Sequence, residues 1–424
     1  MTEVRARRTA GAADELVRAE LAHWRGAIAS LADLDTVAAP AAWAMLEVYL
    51  RMRVRERLAS AVAELAAEGR GIAVSLDAGE PLDRVRQRVL ALRRRYLEVE
   101  TVIDFYGDAV NTRTNPTLGA VLGGLDTIAV DSMEVVLRPL GIVVPPALVY
   151  PDKGMGAAIL RAGVRLWGPG GPSPVAAIKL SRHNFGHPTA LLHETGHQVV
   201  NLAGWLPQLT AAIHDAVAPR SAALADLWRG WASEIAADVH AFALAGWAPV
   251  PALAHVVDGP TSAVHRIRLG DPHPAAWLRV MLNVEMCRQC YGAGPWDALA
   301  GTWTERHDPR NGTTTGARAA AASLPLLPRI AATCLERPFP AFGDRPLTAL
   351  ADPQLVSPAA LDALAAQAGP TLLTSAYLAR QRPLQILALL TREQPRDPAA
   401  AAEATRRLHT WLATLAPLPL PRAA

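Results

Sequence analysis

Three cysteines in 424 residues, an odd number, make no disulfide framework, which excludes a small secreted scaffold stapled by such bridges. A reducing cytoplasm is the expected home. Aromatics are scarce, and Lys153 and Lys179 are the only lysines. No stretch reads as a bilayer span. The charge-free run between Asp362 and Arg380 holds Gln367, Gly369, Pro370, Thr374 and Ser375, which is short and polar for hydrocarbon. The basic N-terminal stretch is followed by no apolar segment, so no secretory signal is expected. A surplus of one charge is also lacking. The formal net charge of +3 gives bulk electrostatics no preferred partner.

What is abundant is Ala, Leu, Arg and Pro, a composition that favours helices. The length allows two or three domains with a sizeable core. From about Ala12 to Asp108, Leu16, Leu21, Trp24, Ile28 and Leu31 begin a helical periodicity. Arginines cluster at 51, 53, 55 and 57, and again at 84, 86, 88 and 93–95. With no nucleic-acid motif beside them, they read as a solvated helix face balanced by Glu56, Asp83, Glu98 and Glu100. From Gly141 the texture changes to short extended runs: Ile142 to Tyr150, Ile159 to Trp167, a Gly/Pro turn over 168–172, and Val175 to Ser181. No Lys-Ser/Thr follows the glycines, so they form no phosphate loop. After Trp303 the polar stretch ERHDPRNGTTTGARAAAAS reads as a mobile loop or linker, and helices broken by prolines follow.

The run TALLHETGHQVV carries the chemistry. In a helix, His193 and His197 stand four residues apart on one face. Two imidazoles so placed can hold one Zn²⁺, and Glu194 between them can act as general base toward a water that the metal activates. Pro188-Thr189 offers a helix start, and Leu191, Leu192, Val199 and Val200 supply apolar faces.

Catalytic zinc takes three protein ligands and leaves a position open. Downstream, WRGWASEIAADVHAFALAGW reads as a buried helix through Trp231, Ile235, Val239 and Phe242. Glu234 and Asp238 share one face of it. Glu234 can be the third ligand, and Asp238 can accept the free N–H of a ligand histidine and fix its tautomer. The alternative is a pair of surface carboxylates, which so apolar a helix disfavours. His240, about 240° around from Glu234, is not expected to reach the same ion.

HETGH followed by Glu234-Ile235-Ala236-Ala237-Asp238 resembles the gluzincin metallopeptidases, with their His-Glu-x-x-His and later Glu-x-x-x-Asp. The Glu-x-x-Ala-Asp form looks most like the CAAX-prenyl-protease and heat-shock-protease branch. Asp271 to Arg279 contains His273-Pro274 and Arg279 in that branch's His-Pro-x-x-x-x-Arg pattern. The resemblance implies that His273 and Arg279 face the substrate and the developing oxyanion. Read alone, Asp271 to Pro274 is equally a helix N-terminus. The resemblance spans about Ala147 to Arg279. It also implies an edge strand that pairs with an extended substrate, for which Val175 to Arg182, with Ile178 and Leu180, is the candidate. The metzincin pattern is absent, because Val200 and Ala203 stand where its Gly and third His belong. Glu234 to Phe242-Ala243 is similar also to regulatory proteases that cleave transcriptional repressors.

The expectation is a mostly helical α+β chain. A zincin-like metallopeptidase core over 116–303, with a small sheet before the His-Glu-x-x-His helix, follows an N-terminal helical region over 1–115 and precedes a helical accessory region over 304–424. The expected function is zinc-dependent cleavage of a protein or peptide substrate, with no nucleic acid and no membrane span. The competing class is a scaffold that keeps zinc for stability, which would have no need of Glu194. His183 and His187 read as substrate-side or capping residues, Cys287 and Cys290 as buried thiols, and Tyr291 as an alternative oxyanion donor.

Overall fold

The computed structural model describes residues 2–154, 156–162, 173–393 and 395–416, the side chains of 2–10 excepted. The chain is mostly helical, with one small three-stranded sheet. No helix among the described residues is long and apolar enough to cross a membrane.

Two compact units divide it. Among the described residues, the first holds 2–119, 162 and 173–175. Its frame is three long helices packed on one another: α1 (Thr2–Ser30), α2 (Val48–Asp77) and α3 (Leu82–Asn111). Val54, Leu58, Val62 and Leu65 of α2 are buried at helical spacing, as are Val85, Val89, Leu92 and Tyr96 of α3. Four of the clustered arginines, Arg55, Arg57, Arg88 and Arg95, pair with acids, though not with Glu56, Asp83, Glu98 or Glu100. Arg55 meets Asp35 at 2.8 Å, Arg88 meets Glu80 at 3.1 Å, and Arg95 meets Glu68.

The second unit holds residues 120–161 and 176–416. Most of helix α4 (Pro116–Leu137) belongs to it. Strands β1 (Ala147–Asp152), β2 (Ala158–Leu160) and β3 (Ala176–Ser181) form the sheet in the order β1-β3-β2, with β1 parallel and β2 antiparallel to β3. Pro145-Pro146 precedes the first strand, as expected of residues that cannot donate to a ladder, although the Pro146 carbonyl accepts from Ala176 N at 2.9 Å. The remainder of the expected run to Trp167, and the turn after it, lie outside the described residues.

Two expectations are corrected here. Val175 to Arg182 is not an edge. Ile178 stands between Val149 and Ile159, and β3, with Ile178 and Leu180 buried, is the central strand. A strand flanked on both sides reads as a near-continuous apolar run, which is what this segment is. The edges are β1 and the three-residue β2 on either side of it. Residues 304–416, expected as a helical accessory region, lie in the second unit. The helix Pro383–Thr391 and the turn Pro353–Val356 pack in the same unit as the His-Glu-x-x-His helix, and His409 Nε2 lies 3.0 Å from the carbonyl of Phe185. The linker expected after Trp303 is folded: Thr314 caps the helix Thr315–Ser323, where Ala317 and Ala320 are buried. Gly316 lies so close to the carbonyl of His265 that a Cβ would overlap it at 1.8 Å. Small residues that resemble a flexible linker in sequence here permit close backbone packing.

Candidate metal centre

Helix α5 (Ala190–Ala203) carries HETGH, ends at Gly204 in the left-handed region (φ 66°), and buries Leu191, Leu192, Val199 and Val200. Helix α6 (Ala232–Ala245) is buried on nearly every side. The two pack closely because position 196 is glycine. A Cβ there would stand 2.9 Å from Ala237 Cα and 3.0 Å from its carbonyl oxygen. This approach brings Glu234 to both histidines.

His193 Nε2 lies 3.3 Å from Glu234 Oε2, and His197 Nε2 lies 3.3 Å from Glu234 Oε1. The three ligand atoms of His193, His197 and Glu234 fall within 4.8 Å of one another, so this group can bind a metal ion. Tetrahedral bonds of about 2.0–2.2 Å hold adjacent donors roughly 3.3–3.6 Å apart, and each histidine stands at that spacing from one of the two Glu234 oxygens. Two imidazole nitrogens and one carboxylate are also the donors of a catalytic zinc site with one position open.

Both imidazoles are oriented from behind. Asp238 Oδ1 is 2.8 Å from His193 Nδ1, and accepting a hydrogen bond from that Nδ1–H leaves Nε2 free for a metal. Ser233 Oγ, 3.4 Å from His197 Nδ1, stands in the same place for the second histidine. Asp238 is itself clamped. Arg279 Nε donates to Oδ2 and Nη2 to Oδ1, each at 2.7 Å, and Asn283 Nδ2 donates to Oδ2 at 3.3 Å. Burial pushes the Asp238 carboxyl up, but Arg279 and His193 more than reverse it and hold it well below the usual carboxylate range. Glu234 is likewise held low against burial by His193, His197 and Arg279. Glu194 differs. It is buried beside the trio without belonging to it, and burial keeps its carboxyl above the ordinary range despite the nearby histidines.

Helix α8 (Ala276–Tyr291) supplies Arg279 and Asn283, and the loop before it supplies His273. His273 Nε2 is 3.5 Å from Glu234 Oε2, and its Nδ1 is 2.6 Å from Asp271 Oδ1. Asp271 therefore anchors the ring, and it does not cap the helix, whose N-cap is Ala275. Folding brings His273 to the ligand group from 39 residues beyond Glu234 in the chain. Arg279 arrives too, but in a bracing position: its guanidinium is bidentate on Asp238 and 3.5 Å from Glu234.

These groups open into a cavity of about 260 Å³. Glu194, Glu234, Asp238, His273 and Arg279 line it, as do Asn184 and His187 from the turn before α5. Burial depresses the His187 pKa. His183 is exposed. Tyr291 does not line the cavity; its hydroxyl donates to the Pro353 carbonyl at 2.9 Å. His240 stays outside the trio, fully buried, with its pKa driven down to about 3 by burial. The three cysteines are free thiols, with Cys287 and Cys334 buried.

Sequence reasoning missed Ser233, Asn283 and Asp271. Ser233 and Asn283 had a readable signal, since each sits beside or one helical turn from a residue already singled out. Comparison with models of protein families, with curated proteins and with solved structures gives no match to this chain.

Proposed function

We propose that this chain is a zinc-dependent endopeptidase of gluzincin type, acting on a protein or peptide substrate. One observation carries the reading. A two-histidine, one-carboxylate donor group stands beside a buried carboxylate, Glu194, that is outside it, and His193, Glu194 and Glu234 line one cavity. A purely structural zinc would fill its fourth position with protein and leave Glu194 no task.

His193, His197 and Glu234 would hold the ion, which when bound would supply a Lewis acid to polarise a carbonyl and activate water. The Glu194 carboxylate takes a proton from the attacking water and returns it to the leaving nitrogen, work for which a carboxyl raised above its ordinary range is suited. With one proton on Nδ1 toward Asp271, Nε2 of His273 donates to the oxygen on which negative charge develops when the ring carries its second proton. Asp271 fixes the His273 ring, while Arg279 and Asn283 fix Asp238 and through it His193. The short β2, with Gly156 and Ala157 before it on the cavity wall, is the edge on which an extended substrate can lie.

The test compares cleaved protein termini across a proteome exposed to wild type and to Glu194→Gln. Termini that depend on Glu194 support the reading. Identical sets of termini from the two proteins would overturn it.

A further inference from the structure

Helix α7 (Pro249–Val257), with sequence PVPALAHVV, is apolar nearly all round. A helix of that kind is expected to be buried on every side. This one is not. Val250, Pro251 and Ala254 face the core, whereas Pro249, Ala252, Leu253, Val256 and Val257 are only half-buried. Those five recur at helical spacing, so they form one stripe, and all five line the cavity that holds His193, Glu194 and Glu234. An uncharged apolar stripe has thus been kept out of the core and turned toward the reacting groups.

Asn184 lines the same cavity. Its side chain is only 6% exposed, yet its Nδ2 has no hydrogen-bond partner among the described residues. A buried amide donor without a partner is costly and calls for an acceptor. A ligand that brings a carbonyl to Asn184 and an apolar group to α7 would satisfy both anomalies at once.

We infer that α7 is the selectivity wall of the site: the cavity takes an uncharged aliphatic side chain of about leucine size, and Asn184 Nδ2 donates to a carbonyl of the same substrate. The inference deepens the proposed peptidase reading by naming a residue class beside the cleaved bond. A charged side chain would find no partner on this wall. The volume of about 260 Å³ is just below the ~300–1,000 Å³ of pockets for drug-sized ligands, which suits one side chain with its flanking main chain.

The test measures binding, by calorimetry, to zinc-loaded full-length protein. The probes are two amino-acid hydroxamates, of leucine and of glycine, which share the metal-chelating group and differ in the side chain. Burial of a leucine-sized group corresponds to roughly ten- to a hundredfold in affinity, so the leucine compound is expected to bind tighter by about that factor. Val256→Asp, a change at a half-buried position, should bring the ratio close to one without lowering zinc content. Ala252→Trp, which fills the cavity from the same stripe, should do likewise. Asn184→Leu should weaken both compounds by about tenfold and leave their ratio intact. Equal affinities in wild type, or an unchanged ratio in both α7 variants, would overturn the inference.

A parallel titration of metal-free protein with N-acetyl-leucinamide and N-acetyl-glycinamide, followed by amide chemical shifts, separates this inference from the reading beneath it. A protein that binds no zinc but still prefers the leucine compound keeps the side-chain pocket and loses the peptidase. One that binds zinc and shows no preference in either titration loses the pocket alone.

Discussion

Gly196 rests against the backbone of Ala237, so close that a methyl group at 196 would stand 2.9 Å from Ala237 Cα. The variable position inside His-Glu-x-x-His is therefore what lets the second ligand helix approach the first. Gly196→Ala should force α5 and α6 apart and cost about 1–3 kcal/mol, the usual range for overpacking a tight contact. It should also loosen the grip of Glu234 on the shared ion. Chemical denaturation together with metal analysis checks this; wild-type stability and wild-type zinc in the variant would show that the contact can relax.

The metal itself comes next. Purified protein should carry about one Zn²⁺ per chain, and His197→Ala or Glu234→Ala should remove most of it. Stripping the ion with a chelator should lower the melting temperature and restoring zinc should recover it, since a ligand bound only by the folded state stabilises by about 2.7 kcal/mol at a hundredfold excess over its Kd. Full zinc in both variants would reject the ligand assignment.

Glu194 lies beside the ligands without being one of them. Glu194→Gln should keep both fold and zinc while any peptidase activity falls by orders of magnitude. Undiminished turnover in that variant removes Glu194 from the chemistry.

Arg279 and Asp238 form a buried bidentate pair at 2.7 Å. Removing one partner leaves the other charge buried and unmatched, a loss of about 3–5 kcal/mol. Arg279→Ala should therefore destabilise the fold strongly. Arg279→Lys should rescue it only in part, because an ammonium cannot reproduce the fork. A denaturant midpoint unchanged by Arg279→Ala would mean that the clamp is dispensable.

The thiols offer a check on packing away from the site. Burial pushes Cys290 up to about 11, Cys334 up to about 12, and Cys287 well above its ordinary value. The thiolate is the reactive form. At pH 8 all three should react slowly with iodoacetamide in the native protein and quickly once it is unfolded. Rapid native labelling of Cys334 would show that the core around it opens.

Much of this centre was legible from local periodicity. Four-residue spacing on a helix places His193 with His197, and Glu234 with Asp238, whatever the rest of the chain does. The helical frame of the first unit was readable in the same way, because an apolar stripe every three to four residues has few other solutions. Strand order was not, because the run around Ile178 looks the same in sequence whether one neighbour or two will pair with it. The linker over 305–323 was misread because glycine and alanine serve both flexible segments and close backbone contacts. For Arg279 the resemblance implies a place facing the substrate, while its hydrogen bonds to Asp238 are set by tertiary packing that no local pattern shows.

Sequence by itself determined the donor types, their pairwise spacing and the carboxylate set between the histidines, since each depends only on the geometry of one helix. Tertiary structure decided which carboxylate meets which imidazole, that His273 comes from a distant loop to within 3.5 Å of Glu234, and that Arg279 braces Asp238. It also turned the apolar stripe of α7 toward the cavity. Those outcomes rest on contacts between elements far apart in the chain, which packing of the whole core selects and no local pattern encodes.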